Sequence, residues 1–275
     1  MIRRFTSFGI AVATLTAALF GALPIHAQSA QQTYHIKFGA TVASAPFACG
    51  RSYSGVGLDG VTIVPQTLRF YVSDIELLDA GGRATPLTLD QDGTWQRDDV
   101  AFISFDDNAK CSSGETASRT EAVGTAPALK YTAIRFTVGI PDALDHGDAT
   151  IAASPLNVSE MFWSWTSGYK FLRFDTRVVA AGDQAAPDSY IFHLGSTGCS
   201  IVEKAVACKN PNRPVVTLDR FHPVSSVIVF DVAALLRTTP LAHSKGCMSN
   251  GDACAPTMGV LGLQPGTGQS VFSLR

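Results

Sequence analysis

The stretch Q-T-L-R-F-Y-V-S-D-I-E-L-L, Gln66 to Leu78, decides the fold class. It mixes β-branched, aromatic and apolar residues, shows no helical repeat, and lies between Pro65 and the D-A-G-G cluster that begins at Asp79, so it reads as a strand. Runs of the same kind recur at Tyr34 to Val42, Thr85 to Leu89, Val100 to Phe105, Lys130 to Val138, Trp163 to Thr176, Ser189 to Leu194, Val215 to Asp219 and Ser226 to Asp231. Only D-V-A-A-L-L-R, Asp231 to Arg237, suggests a helix, with Asp231 as its N-cap. Short strands between Gly, Pro, Asp and Ser clusters imply an all-β chain, an antiparallel β-sandwich with little helix. The connections Ala43 to Pro65, Asp106 to Ala128, Pro141 to Glu160 and the stretch from Cys247 to Pro265 are long. In a compact domain such loops are functional or stapled.

The N-terminus places Arg3 and Arg4 before the apolar run Phe8 to Leu23 and ends it with P-I-H-A at Pro24 to Ala27. This is the pattern of a secretory signal peptide over residues 1–27, leaving one domain over residues 28–275 and a periplasmic or secreted destination. No later stretch is apolar for long enough to span a membrane as a helix, so no membrane insertion is expected after cleavage. The full sequence carries a formal charge of −2, and loss of the two arginines makes the remainder more acidic still. With no basic cluster to neutralise phosphates, nucleic-acid binding is excluded.

All six cysteines, Cys49, Cys111, Cys199, Cys208, Cys247 and Cys254, follow the signal segment. An even count in an oxidising compartment favours disulfides. Proximity suggests pairing Cys199 with Cys208 and Cys247 with Cys254, which leaves Cys49 for Cys111, although spacing by itself does not select among the possible connectivities. No C-x-x-C supports a thiolate zinc or copper site.

Candidate chemistry is sparse. There is no G-x-S-x-G elbow, no phosphate-cradling loop, and no acid/base constellation, so an enzyme such as a copper oxidase is the least supported class. No two histidines have metal-ligand spacing, and any metal site must be assembled from distant segments. His193, in Y-I-F-H-L-G, shares a strand face with Ile191 and needs a partner, either as a hydrogen-bonded core imidazole or as a ligand. His146, in L-D-H-G-D, sits on a long loop, and His35 shares its face with Thr33 and Lys37 and points to solvent. The run M-F-W-S-W-T-S-G-Y-K-F, Met161 to Phe171, holds Trp163 and Trp165, two of the three tryptophans. In a strand their indoles would stand side by side, as core, as a carbohydrate- or surface-binding platform, or as a redox site.

Ordered motifs carry a resemblance. P-F-A-C-G-x-x-Y-x-x-V-G from Pro46, L-R-F-Y-V-S-D-I-E-L-L-D from Leu68, D-G-T-W-Q from Asp92, R-F-T-V-G-I-P from Arg135, S-P-L-N-V-S-E-M-F-W-S-W-T-S-G-Y-K-F-L-R from Ser154, H-L-G-S-T-G-C from His193, P-N-R-P from Pro211 and G-C-M-S from Gly246 resemble the MbnP-like family, the metallo-mystery-pair four-Cys motif proteins. The resemblance implies an exported β-sandwich that binds copper and is the substrate, not the catalyst, of a MauG-like dihaem cytochrome c peroxidase. That partner would oxidise Trp163 or Trp165 to kynurenine, which would join His146 and His193, with His35 as a further candidate, around copper as Cu(I). Kynurenine offers an aryl amine lone pair where indole offers only an N–H donor, and neutral imidazoles suit copper. The family's four cysteines fall on Cys199, Cys208, Cys247 and Cys254, with Cys49 and Cys111 as an additional pair.

Overall fold

The computed structural model describes residues 1, 30–114, 117–179, 188–203 and 205–275. Apart from Met1, the expected signal segment lies outside the described residues. The chain folds as a β-sandwich. One sheet runs Phe272–Leu274, Val227–Asp231, Gln31–Val42, Glu121–Pro127, Thr88–Leu89, with Ala45–Pro46 added on Gln31–Val42. The other runs Val215–Asp219, Ala133–Val138, Val61–Leu78, Leu172–Val179, Ser189–Leu194, Gly246–Cys247.

Val61–Leu78 organises the second sheet. Along one edge it pairs first with Leu172–Val179 and then, past Tyr71, with Ala133–Val138. Along the other it takes Tyr53–Val56, Val100–Ser104 and Ala84–Pro86 in turn. Asp74, at φ 50°, marks an irregularity that lets one strand serve so many partners. Its alternation sends Phe70 inward, where it meets Phe38, Phe230 and Phe272 of the facing sheet at ring centroid distances of 5.9, 5.7 and 5.8 Å. Phe136 joins them against Phe38 and Phe272, so the core is an edge-to-face aromatic cluster between two sheets.

Arg69 and Tyr71 point the other way and are nevertheless fully buried. The long segment between Ile140 and Leu172 covers them. The Tyr71 hydroxyl donates to Pro155 O at 3.0 Å, and its ring packs edge-on to Tyr169 at 6.2 Å. This covering layer carries the candidate site.

Several expectations need correction. The sandwich is mixed, not wholly antiparallel, because Gln31–Val42 pairs in parallel with Val227–Asp231, and Ser189–Leu194 with Gly246–Cys247. Each of these pairs joins segments far apart in sequence, as parallel strands require. Trp163 to Thr176 is not one strand: Phe162–Ser164 turns back on Gly168–Tyr169, and Leu172–Val179 follows separately. Gly168, at φ 72°, ends the turn where a side chain would strike the Asp145 carboxylate. The expected loops also hold strands, notably Glu121–Pro127, whose buried positions are the small residues Ala122, Gly124 and Ala126. The expected helix is Val232–Leu236, and Asp231 caps it by accepting from Ala233 N. The disulfides are Cys49–Cys111, Cys199–Cys208 and Cys247–Cys254, as expected.

Candidate metal centre

The sheet register lines up Arg69, Arg173 and His193 on three adjacent strands. The period of two puts Asp175 and Ile191 on the same outer face. Buried there under the covering layer, these charges must be paired, and they form a chain. Arg69 Nε meets Asp106 Oδ2 at 2.8 Å and Arg69 Nη1 meets Glu160 Oε2 at 3.1 Å. Glu160 Oε2 lies 3.4 Å from Arg173 Nη1, Arg173 Nη2 lies 2.7 Å from Asp175 Oδ2, and Asp175 Oδ1 lies 2.8 Å from His193 Nε2. Burial pushes the Asp175 carboxyl up, but its bond to His193 and the Arg173 guanidinium outweigh this and hold it below the ordinary 3.8.

The chain of charges fixes His193. A carboxylate is acceptor only, so Nε2 carries the proton and donates it to Asp175. In the neutral ring that leaves Nδ1 of this 7% exposed residue with a lone pair, buried and without a hydrogen-bond partner. An orphaned buried acceptor is costly unless something binds it. The neighbouring ring is Trp163, 6.5 Å away between centroids at 46°. Trp163 lies against Gly195, where a Cβ would collide with the indole. Ser249 clamps the same place, accepting from Gly195 N and donating to His193 O, both at 2.8 Å.

His146 is built differently. It follows the single helical turn Asp142–Asp145, and its Nδ1 lies 3.1 Å from Trp165 O. A carbonyl oxygen only accepts, so in the neutral ring the proton sits on Nδ1, and the Nε2 lone pair faces Cys208 Sγ at 3.2 Å. Asp145 is 1% exposed; it accepts from Tyr169 N and from the Ser196 hydroxyl, both at 2.8 Å. Burial raises its carboxyl above the ordinary value against these hydrogen bonds. An open cavity of about 520 Å³ lies nearby, lined among others by Trp163, Ser196, Cys199, Met248 and Asn250.

Trp163 is thus brought beside His193, while His146 is joined to the end of the same strand through its neighbour Asp145, which accepts from the Ser196 hydroxyl. Trp165 is not beside Trp163 on a strand face; it occupies the hairpin turn, is 46% exposed, and engages His146 through its backbone carbonyl. His35 is exposed on Gln31–Val42 in the other sheet, where it faces Glu121 at 3.2 Å, apart from the other candidates. Sequence reading missed Asp175, Arg173, Glu160, Asp145 and Met248. The signal for two of these was present: L-R-F-D-T-R places Arg173 and Asp175 on one face of a strand whose other face is apolar.

Fold and site together define a disulfide-stapled β-sandwich with an indole beside one imidazole, a second imidazole on a neighbouring loop, and a surface cavity lined by that indole. The MbnP family profile matches residues 31–249, and the chain belongs to the MbnP family. It is similar to the solved structure of MbnP from Methylosinus trichosporium, with 27% identity and a TM-score of 0.77 over 89% of this chain and 98% of that one. No curated protein matches the chain significantly.

Proposed function

We propose that this chain is an exported copper-binding protein whose Trp163 is oxidised to kynurenine by a partner dihaem peroxidase of the MauG-like type. The observation that carries the reading is the buried Nδ1 of His193, a lone pair with no partner, held towards ligation by Asp175 and packed beside Trp163. A ligating imidazole whose second nitrogen donates to a carboxylate is the usual arrangement in metal sites. The residues fit copper: His193 Nδ1 and His146 Nε2 would hold it with the aryl amine created at position 163. Neutral nitrogen donors in small number favour Cu(I), so the bound ion would be cargo or a reduced centre rather than a Lewis acid for hydrolysis. Three disulfides support export. Among the described residues no helix is long and apolar enough to cross a membrane.

The modification balances with hydrogen peroxide as oxidant. Two peroxide equivalents convert the indole to N-formylkynurenine and release two waters. Hydrolysis then removes formate, and the side chain has gained an oxygen and lost a carbon. Trp163 is favoured over Trp165 because its ring neighbours His193 and Gly195, whereas Trp165 stands in the exposed turn. A carbohydrate platform loses its geometric basis, since the two indoles do not share a strand face.

Tandem mass spectrometry of the Met161 to Lys170 peptide, after co-expression with an active dihaem peroxidase, tests the reading. Kynurenine at Trp163, with stoichiometric Cu(I) that is lost in His193→Ala, is expected. An unmodified peptide, or copper retained by His193→Ala, overturns it.

A further inference from the structure

The mechanism above gives no role to the sulfur atoms that His146 faces. We infer that Cys199 and Cys208 are a redox-gated pair of soft donors which, once their disulfide opens, join His146 Nε2 as a two-thiolate, one-imidazole site for Cu(I). The inference rests on the copper reading of the same region.

The three donor atoms lie within 4.8 Å of one another. The imidazole is already committed to the required tautomer, because Trp165 O takes the Nδ1 proton and Nε2 stands 3.2 Å from Cys208 Sγ. Asp145 Oδ2 lies 3.5 Å from the same nitrogen and accepts from the Ser196 hydroxyl at 2.8 Å. The three disulfides are not equally accessible. Cys49, Cys111, Cys247 and Cys254 are each no more than 4% exposed, whereas Cys199 and Cys208 are half-buried and Cys199 lines the cavity beside Trp163.

The scaffold would survive opening. Cys199 faces Cys208 in the hairpin Thr197–Val202 and Ala205–Asn210, which is also paired at Thr197 with Asn210, Ser200 with Ala207, Ile201 with Val206 and Val202 with Ala205. The backbone ladder therefore holds the two sulfurs opposite each other without the covalent bond. Opening needs a dithiol reductant. It supplies two electrons and two protons, the S–S bond becomes two thiols, and the reductant closes its own disulfide. Cu(I) then displaces the two thiol protons to solvent as two Cu–S bonds and one Cu–N bond form. Thiolates are the softest donors available in a protein and select Cu(I).

The test uses the signal-cleaved protein, either oxidised or treated anaerobically with dithiothreitol and desalted, titrated with Cu(I) against bicinchoninate and examined by X-ray absorption. Reduction is expected to tighten Cu(I) binding by at least about 100-fold and to introduce Cu–S scattering. Both changes should vanish in Cys199→Ser/Cys208→Ser treated identically, and the gain should shrink in His146→Ala. In the metal-free protein, limiting dithiothreitol should expose Cys199 and Cys208 to alkylation before the other four, which are no more than 4% exposed. No gain in affinity, or a gain that persists in the double serine variant, overturns the inference while leaving the copper reading intact. In protein shown by mass to carry kynurenine at position 163, binding by the reduced form alone would sustain the inference and sink that reading.

Discussion

His193 and His146 belong to opposite kinds of structure. His193 stands on Ser189–Leu194, one strand in from the edge of its sheet, in register with Arg69 and Arg173, and is fixed by a carboxylate at the end of a chain of largely buried charges. His146 stands on a loop after one helical turn and is fixed by a backbone carbonyl from another turn. One imidazole is held by a sheet strand, the other by loops packed against the sheet. Accordingly, damage to the His193 side should cost stability and ligation together, and damage to the His146 side should cost ligation with little loss of fold.

The largest effect should come from Arg69→Met. It strands Asp106, which is fully buried, and loss of one partner of a buried pair costs about 3–5 kcal/mol. Urea unfolding would measure this; a loss under 1 kcal/mol would break the contrast. Next, Gly195→Ala drives a methyl into Trp163 and should cost about 1–3 kcal/mol as overpacking. It should also shift tryptophan fluorescence and block kynurenine formation, and native-like fluorescence would count against the placement of Trp163.

Asp175→Asn should weaken Cu(I) binding by about 10–100-fold, the usual effect of losing the group that orients a ligand. It also sharpens the comparison through pH. Asp175 has a native pKa below 3.8, so it contributes stability above that value and loses it as pH falls through the native pKa. Asp145 has a raised native pKa, so its contribution is full below 3.8 and is lost as pH rises through the native value. Asparagine at Asp175 should therefore flatten the acid side of a stability profile, and asparagine at Asp145 should relieve the decline on the less acidic side. Urea midpoints measured across that range would expose equal behaviour of the two carboxylates. The smallest effects belong to His35→Ala and Trp165→Phe. Both should change stability by no more than about 0.5 kcal/mol, as exposed substitutions do, and both should leave Cu(I) affinity intact.

Much of the fold was legible because strand alternation is a local property. Ser189–Leu194 and Val215–Asp219 have the bounds their residues suggest, and Asp231 caps its helix as expected. Glu121–Pro127 was hidden because Ala122, Gly124 and Ala126 fill its buried face, and small residues leave no apolar signature. The tryptophan run was misread because its aromatic content resembles a strand, while Gly168 and the Ser164 hydroxyl, which accepts from Ser167 N, bend it into a hairpin.

By itself, then, the sequence determined the all-β class and the helix cap, and it pointed to local pairing of four cysteines and to the tryptophans and histidines worth watching. Each depends on residues close together in the chain or on composition. Only the tertiary structure decided that Trp163 and not Trp165 neighbours His193, that His35 is apart, and which nitrogen of each imidazole is left with its lone pair. Those outcomes rest on sheet register and on loops folded over an outer sheet face, where Asp175 and Trp165 O, 18 and 19 residues from the histidines they fix, claim one proton each.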